Sequence, residues 1–577
     1  MTFVINGTNG GNNTIFGNTS GDDILNGFDF NNIFWSGGAN DQINTGSGGA
    51  TVNLGAFAGV TDTVNVGGAF NTVNTNGAGQ LGSTLTVQGG TGGNVVTLKN
   101  SLGFNNVAMQ GFDNIITVNS DATNIVMSGA GRGRVNAGII GDGNTGFKTS
   151  VVAAGQHNTV IGGDQNFTIN GGQGFDLISV GNGDNTIVES GTKDKITVGT
   201  GNNTITDFGG AATIHFVGTV TDVDIPGVDI PDTTEIVNLG GTNNTVIEDN
   251  RLLGSAREFV ITGGTGNGLF LLGDGENVLT TSGANNVIQM GSPDQIDGPG
   301  GDSVTANGDF NKITLGNGVN VVTANGNSDA ITLGNGNNTV TANGADDVIT
   351  AGNGANKVTA NGHADTIKLG NGANNLTANG AEDLINLGNG ANTLQANGNA
   401  DVITIGNGNN SVTAGGNGDT ITLGTGNNTV SATGNNDTIT SAGGKGAFIL
   451  GGTDSLTLTG SLVGTTVAAN GADDAIVLKS GANVTIADSP FGGGLNLEID
   501  ATAGGFTGKV VVNGWGSDPT GVIHLVGFAA SLGSMLSPPV AGSDGAGGVL
   551  IKFAGGGSLD LTFVSTIDPS QFTTAAI

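Results

Sequence analysis

Three consecutive stretches of this 577-residue chain decide its fold: VVTANGNSDAITLGNGNN (321–338), TVTANGADDVITAGNGAN (339–356) and KVTANGHADTIKLGNGAN (357–374). They repeat with a period of 18 residues, and each period divides into two units of nine. In each unit an aliphatic residue is followed, two positions later, by a second apolar residue. This period-two alternation predicts short β-strands with one buried face.

Two polar residues recur at fixed places in the repeat. One unit carries Asp two residues before its first aliphatic residue, and the other carries Asn there. Gly and Asn fill the segments between strands, where turns need the positive φ that these residues tolerate. Each period therefore forms one coil of strand, turn, strand and turn, and stacked coils pair their strands in parallel. The expected fold class is all-β: a parallel β-solenoid of the β-roll or β-helix kind with a C-terminal β cap.

The repeat divides the chain into three regions. Residues 1–300 form a less regular solenoid with insertions, 301–445 hold the regular 18-residue repeats, and 446–577 hold degenerate repeats and a cap. The segment 222–235 (DVDIPGVDIPDTTE) is expected to loop out, because proline is excluded from central strands. From about Gly494 the repeats give way to strands that we expect to be antiparallel or capping, as a solenoid needs to shield its last coil.

Composition and charge restrict the function. A formal net charge of −32 argues against nucleic-acid partners and anionic membrane surfaces, and it favours a chain neutralised by cations or kept soluble by self-repulsion. The chain has no Cys, so disulfides and thiolate metal sites are excluded. No apolar stretch is long enough for membrane insertion, and the first residues lack the features of a cleaved secretion signal.

The Asp-bearing units resemble the RTX, or haemolysin-type, calcium-binding repeat, whose consensus is G-G-x-G-x-D-x-U-x with U aliphatic. The stretch GGQGFDLIS (171–179) matches fully, and GGAND before Ile43 matches in part, with Asn40 as an extra residue. The regular block matches in the later half of the turn, the Asp and the aliphatic residue, over a resemblance covering roughly two thirds of the chain. It implies a parallel β-roll with Ca²⁺ in its turns, held by carboxylates and backbone carbonyls of neighbouring coils.

The resemblance implies one Asp per matching coil as a calcium ligand. The candidates are Asp41, Asp176, Asp194, Asp329, Asp347, Asp365, Asp383, Asp401, Asp419 and Asp437. Stacked carboxylates about 5 Å apart repel by about 0.8 kcal/mol per neighbour even in water, so a column of them favours bound cations. The other edge carries Asn, where the family usually has Asp, so we expect calcium along one edge and an amide ladder along the other. A solvated Asp column without specific metal is the alternative.

The C-terminal ending, from Asp568 to Phe572 followed by small residues, resembles the uncleaved signal of type I secretion substrates. The resemblance implies a secreted protein whose partners include the type I secretion machinery. No GxSxG, HExxH or P-loop motif occurs, and we expect no enzymatic activity.

Three functions remain in competition. The first is a calcium-ordered structural protein that self-assembles into a filament, surface layer or biofilm matrix. The second is an adhesin, or an ice- or carbohydrate-binding solenoid, that uses outward Thr rows such as Thr323, Thr341, Thr359 and Thr377. The third is an enzyme acting on a polymer, for which the repeats offer no unique charged cluster. Repetition through nearly the whole chain favours the first.

Overall fold

A computed structural model describes residues 3–17, 22–36, 40–55, 61–75, 84–128, 131–137, 148–217, 234–248, 257–273, 276–291, 301–460, 462–479, 481–489, 494–503, 505–515, 520–536, 541–543, 547–564, 566 and 568–577. The chain divides into two compact units, Met1–Ser303 and Val304–Ile577. Each unit is a parallel β-solenoid, and together they make about 23 coils with a repeat of about 18 residues. The predicted fold class is confirmed.

The first unit is built from short strands, nearly all of three to six residues. They are Phe3–Asn6, Thr14–Phe16, Asp23–Asn26, Ile33–Ser36, Gln42–Asn44, Thr51–Leu54, Thr61–Val66, Thr72–Thr75, Thr84–Gly89, Val95–Met109, Ile115–Met127, Arg134–Ala137, Lys148–Ala153, Thr159–Gly162, Asn166–Asn170, Leu177–Ser179, Thr186–Glu189, Lys195–Val198, Thr204–Asp207, Thr213–Phe216, Thr234–Leu239, Thr245–Glu248, Glu258–Gly263, Leu269–Leu272, Val278–Thr281 and Val287–Met290. The strand Ser303–Ala306 contains the boundary between the units.

The second unit continues the same pattern with greater regularity. Its strands are Lys312–Leu315, Val321–Ala324, Ala330–Leu333, Thr339–Ala342, Val348–Ala351, Lys357–Ala360, Thr366–Leu369, Asn375–Ala378, Leu384–Leu387, Thr393–Ala396, Val402–Ile405, Ser411–Ala414, Thr420–Leu423, Thr429–Ala432, Thr438–Ser441, Ala447–Leu450, Ser455–Leu458, Leu462–Ala469, Ala475–Leu478, Ala482–Asp488, Asn496–Asp500, Lys509–Asn513, Val522–Val526, Ala541–Ser543, Val549–Lys552, Ser558–Leu561 and Phe572–Thr573. Its described residues contain little helix, notably one α-helical turn at Leu532–Met535 and a 3-10 turn at Pro569–Gln571.

The core follows from the alternation in the sequence. In strand Ala330–Leu333 the side chains of Ile331 and Leu333 point inward and are 1% and 3% exposed, while their neighbours face solvent. The strand pairs in parallel, without any shift, with the equivalent strand one coil later, so Ile331 lies beside Ile349. Each aliphatic position therefore forms a continuous column, and stacking supplies the burial that one coil alone lacks.

Positive φ occurs at the expected glycines in one turn of each regular coil, as at Gly336 and Gly354 with φ of 141° and 148°, but in the other turn it falls on residues that the Gly and Asn content does not predict. In the regular coils the left-handed residue is often the one immediately before the column Asp, and it is Ser328, Asp346, Ala364 or Glu382, with φ between 58° and 65°. Each of these residues donates its N–H to a carbonyl of the next coil, as Asp346 does to His363 at 3.0 Å. Hydrogen bonding between coils therefore imposes the conformation whether or not the residue favours it.

An exposed column of Asn side chains lies just after one strand of each regular coil. Asn343, Asn361, Asn379 and Asn397 each donate through Nδ2 to the Asn Oδ1 one coil earlier, over 2.6–2.7 Å. Gly415 interrupts this column at the next coil. Its backbone has no positive φ, and an added Cβ would come no nearer than 3.7 Å to another atom.

We expect Gly415→Asn to stabilise the protein by about 0.5–1 kcal/mol, because the new amide can donate to Asn397 Oδ1. The measurement is the melting temperature beside Gly415→Ala, which reproduces the loss of glycine's backbone freedom without the amide. Equal melting temperatures for the two variants would contradict a contribution from the amide column.

The C-terminal region differs in part from the expectation that the repeats end near Gly494. Parallel pairing continues through Asn496–Asp500, Lys509–Asn513 and Val522–Val526, each bonded to the strand one coil before it. Antiparallel pairing joins Ala541–Ser543, Val549–Lys552 and Ser558–Leu561. These three strands form a meander whose last strand also pairs in parallel with Lys509–Asn513.

The predicted Pro-containing loop 222–235 lies mostly outside the described residues. Its last two residues, Thr234 and Glu235, already belong to the strand Thr234–Leu239. The prediction therefore extends too far at this end, because Glu235 occupies a buried position in the stack.

Candidate metal site

The seven Asp residues predicted in the regular block form one column inside the second unit, where each turn enters a strand. All seven are completely buried. Six Oδ1 atoms accept the backbone N–H of the Asp one coil earlier over 2.8–3.0 Å, and Asp329 Oδ1 accepts from Asn311 at 2.7 Å. The column members are Asp329, Asp347, Asp365, Asp383, Asp401, Asp419 and Asp437.

The second oxygen of each carboxylate is different. The Oδ2 atoms of all seven are buried and have no hydrogen-bond partner. Buried polar atoms in proteins are nearly always hydrogen-bonded, so seven unpartnered oxygens in a row are exceptional. They are acceptors that a cation or a proton could satisfy.

Burial shifts the ionisation of this column. It raises the pKa of Asp347 and Asp401 to about 7 and that of Asp365 and Asp437 to about 6, and the charges of neighbouring Asp residues act in the same direction. The pKa values of the other three are also raised, first by burial. These raised pKa values indicate that the negative charge of the column carboxylates is not compensated by positive groups.

The side chains of the Asn column on the other edge are fully hydrogen-bonded. Asn374 Nδ2 donates to Gly370 O at 3.0 Å and to Asn392 Oδ1 at 2.9 Å. The backbone N–H of Asn356 donates to Asn374 Oδ1 at 3.3 Å, and the same pattern repeats from coil to coil. The predicted amide ladder is confirmed, and it differs from the Asp edge in having a donor for each buried side-chain oxygen.

The other three predicted Asp residues lie in the first unit. Asp41 is buried between coils, where its Oδ1 accepts the N–H of Asp23 and its own N–H donates to Asp62 Oδ1. Asp176 and Asp194 are stacked in the same manner, with Asp176 N–H donating to Asp194 Oδ1 at 2.9 Å.

Sequence reasoning missed several members of these columns. Asp23 and Asp62 flank Asp41, and Asp454 and Asp474 extend the long column beyond Asp437. The sequence contained a signal for these four Asp residues, since each of them stands two residues before a buried aliphatic residue. Glu189 and Asp207 were also missed; both stand at the inward end of a strand, at the last position of the alternation.

One interior carboxylate of the first unit carries its own counter-ion. Glu235 and Arg257 are both fully buried, with Arg257 Nε 3.3 Å from Glu235 Oε1. Glu235 replaces Asn in its column, and its Oε2 accepts the Asn203 N–H at 3.0 Å. Burial raises the pKa of Glu235 to about 8, against the opposing effect of Arg257.

Fold and site together define the chain as a parallel β-solenoid with acidic columns in its interior. No protein-family model, no curated protein and no solved structure matches it. In the described part of the chain, none of the helices has the length and apolar character needed to cross a membrane.

Proposed function

We propose that this chain is a secreted structural protein that binds Ca²⁺ along its buried Asp column and self-assembles outside the cell into filaments, a surface layer or a biofilm matrix. The observation that carries the proposal is the run of seven buried, unpartnered Oδ2 atoms in the second unit. Calcium prefers oxygen ligands and accepts many carboxylates. The RTX resemblance and the acidic net charge favour the same ion, and the resemblance is also the basis for type I secretion.

Self-assembly is favoured by apolar residues on the outside of the first coils. Phe16 and Trp35 are paired in register on adjacent strands, and they are 64% and 45% exposed. Adjacent exposed aromatic side chains are typical of surfaces that contact another protein. A second copy of the chain is the partner that a structural polymer requires.

The calcium proposal is tested by replacing three column residues with Asn in the variant Asp347→Asn, Asp365→Asn, Asp383→Asn. Asn is accepted sterically, because Asn311 already occupies the column one coil before Asp329 and donates to its Oδ1 at 3.1 Å. Without calcium at pH 8 we expect this variant to melt higher than the wild type, since three uncompensated carboxylates are removed. With millimolar CaCl₂ we expect the wild type to gain stability and form polymers visible by electron microscopy, and the variant to respond much less.

A double variant, Asp346→Asn and Asp473→Asn, is the matched control, because it removes exposed carboxylates from the same unit. It should respond to calcium as the wild type does. An equal calcium response in the triple variant would exclude the column as the binding site, and polymers that persist after exhaustive chelation would exclude calcium from assembly.

A second candidate function is ligand binding by the Thr rows, as in an ice- or carbohydrate-binding adhesin. Thr323, Thr341, Thr359 and Thr377 lie in register on consecutive strands. Gln395 follows them on the next strand and interrupts the row. A thermal hysteresis assay distinguishes ice binding from the proposed structural function, because only an ice-binding surface depresses the freezing point more than the melting point.

A further inference from the structure

We propose a separate cation site inside the first unit, in which Glu189 is the central ligand and Asp176, Asp194 and Asp207 complete the oxygen set for a divalent cation of the calcium type. The site stands apart from the Asp column of the second unit. It does not rest on secretion or self-assembly, and it contains two residues that no repeat consensus supplies.

The position of Glu189 is unusual for this fold. It ends the strand Thr186–Glu189, at the inward place that Ala342, Ala360 and Ala378 fill in the regular coils. One coil later Asp207 occupies the same place, directly beside Glu189 in the parallel register. Two consecutive coils therefore carry an acidic residue at an inward position that is filled by alanine in the regular coils.

Glu189 converges on the stacked pair of Asp176 and Asp194. Asp176, Glu189 and Asp194 are all buried, and each offers a carboxylate oxygen within 4.8 Å of the others. Glu189 itself has no solvent exposure. A cation between them would meet oxygens from three different strand ends of adjacent coils.

The oxygens available for a cation are those left over from hydrogen bonding. Both Oε atoms of Glu189 and the Oδ2 atoms of Asp194 and Asp207 are buried without a hydrogen-bond partner. The remaining oxygens are used, since Asp194 Oδ1 accepts from Asp176 and Asp207 Oδ1 accepts from Gly209 and Gly210 at 2.8 and 3.1 Å. Asp194 and Asp207 are thus each fixed by the backbone through one oxygen, and Glu189 keeps both of its own. Asp176 is fixed through both, since its Oδ1 accepts the Asn158 N–H and its Oδ2 accepts the Gly172 N–H.

The chain also keeps space for the Glu189 carboxylate. Gly171 lies one coil earlier in the same column, and a Cβ added there would overlap both carboxylate oxygens of Glu189. Its φ is outside the region reserved for glycine, so the backbone does not require glycine there, whereas the contact with Glu189 does. Glycine and glutamate form a matched pair at this place.

Glu189 lacks the compensation that Glu235 has. Among the described residues Arg257 is the one buried basic side chain, and it is paired with Glu235. Lys193, close in sequence, is instead exposed over the ring of Phe175. Burial, followed by the charges of Asp176, Asp194 and Asp207, raises the pKa of Glu189 to about 9. At neutral pH such a cluster must hold either protons or an external cation.

The donor set decides the class of cation. It consists of hard carboxylate oxygens without His or Cys, which favours Ca²⁺ or Mg²⁺ over transition metals. Ca²⁺ accepts six to eight oxygens and irregular geometry, whereas Mg²⁺ needs near-octahedral geometry and retains water. A buried interior with several carboxylates fits Ca²⁺ better.

The test counts calcium ions bound to the full-length protein at pH 8 by equilibrium dialysis with radioactive calcium. We expect Glu189→Gln to lose one tightly bound ion per chain and to release about one proton fewer on binding, as measured by calorimetry in two buffers. Glu382→Gln is the matched control, because it makes the same change at an exposed turn, and it should bind as the wild type does. Glu189→Ala, which introduces the residue of the regular coils, provides a second variant if the amide disturbs folding.

Unchanged calcium stoichiometry in both folded Glu189 variants would overturn the proposal. It would mean that the carboxylate cluster holds protons rather than a cation. Displacement of the ion by equimolar MgCl₂ would overturn the assignment to calcium. The Asp347, Asp365 and Asp383 triple variant, measured in the same assay, should keep this ion. If only the triple variant loses bound calcium, the Glu189 site is refuted and the Asp column is not. If only the Glu189 variants lose bound calcium, the Asp column is refuted as a calcium site and the Glu189 site is not.

Discussion

In calcium-free buffer the protein is expected to melt at a temperature lower by roughly 10 °C or more at pH 8 than at pH 5. In the folded chain the pKa is about 6 for Asp365 and Asp437 and about 7 for Asp347 and Asp401, against 3.8 for an ordinary Asp. At pH 5 the folded chain therefore binds protons that the unfolded chain does not. That stabilisation is complete below pH 4 and is lost as the pH rises through 6 and 7.

The size of this effect comes from the number of groups. Each unit of pKa difference corresponds to about 1.4 kcal/mol, so several coupled carboxyls together contribute more than about 5 kcal/mol. The groups that act on them include Asp346 and the exposed His363 as well as the column itself. Differential scanning calorimetry between pH 5 and 8 measures the effect, and pH 5 stays above the isoelectric point of about 4.1.

Two controls separate the buried column from the general negative charge. In 1 M NaCl, surface repulsion is screened while buried charges are little affected, so most of the pH dependence should persist. The triple variant at Asp347, Asp365 and Asp383 should show a smaller slope than the wild type. A melting temperature that rises from pH 5 to 8 would refute the shifted pKa values.

Gly380→Ala is expected to destabilise the regular block by about 3 kcal/mol or more. An added Cβ at Gly380 would overlap the carbonyl oxygen of Gly362 one coil earlier, and the same relation holds for Gly362 on Gly344 and for Gly398 on Gly380. Here the backbones of successive coils touch, so neither side can move without breaking the spacing of the stack. Hydrogen exchange should show lost protection in the coils around 357–396.

Gly415→Ala is the matched control for this substitution. Gly415 precedes the equivalent turn glycine two coils later, and its added Cβ would make only ordinary contacts. It should keep nearly wild-type protection. Equal effects of the two substitutions would show that glycine acts through backbone freedom rather than through close approach.

The fold was predictable because its determinants are local and repeated. The Ile331 and Leu333 positions alternate with exposed residues, and 18-residue spacing places each beside its equivalent in the next coil. The Asn ladder was predictable for the same reason. The left-handed residues were not, because Ala364 and Glu382 take positive φ through hydrogen bonds with another coil, which their own side chains do not reveal.

The candidate sites were only partly predictable. A search for Asp before a buried aliphatic residue would have added Asp62 and Asp474, but the RTX consensus directed attention to the turns. Glu189 was visible as an acidic residue at an inward position, yet its isolation from cations becomes clear only in three dimensions. Glu235 and Arg257 are separated in sequence by the strand Thr245–Glu248, and they meet because the strand that contains Glu235 pairs in parallel with the strand that follows Arg257, so no local pattern predicts this ion pair.

Two of the Asn columns of the regular block have amides that point in opposite directions along the stack. Asn356 in the buried column donates toward the C-terminus, whereas Asn361 in the exposed column donates toward the N-terminus. Their side-chain dipoles therefore oppose each other in the coils that carry both, and adding such coils builds no polarity from these amides. The carboxylates have no such balance, since each coil adds one more. Without bound protons or cations, each added regular coil would therefore add one more uncompensated charge to the Asp edge, whereas the amide edges add none.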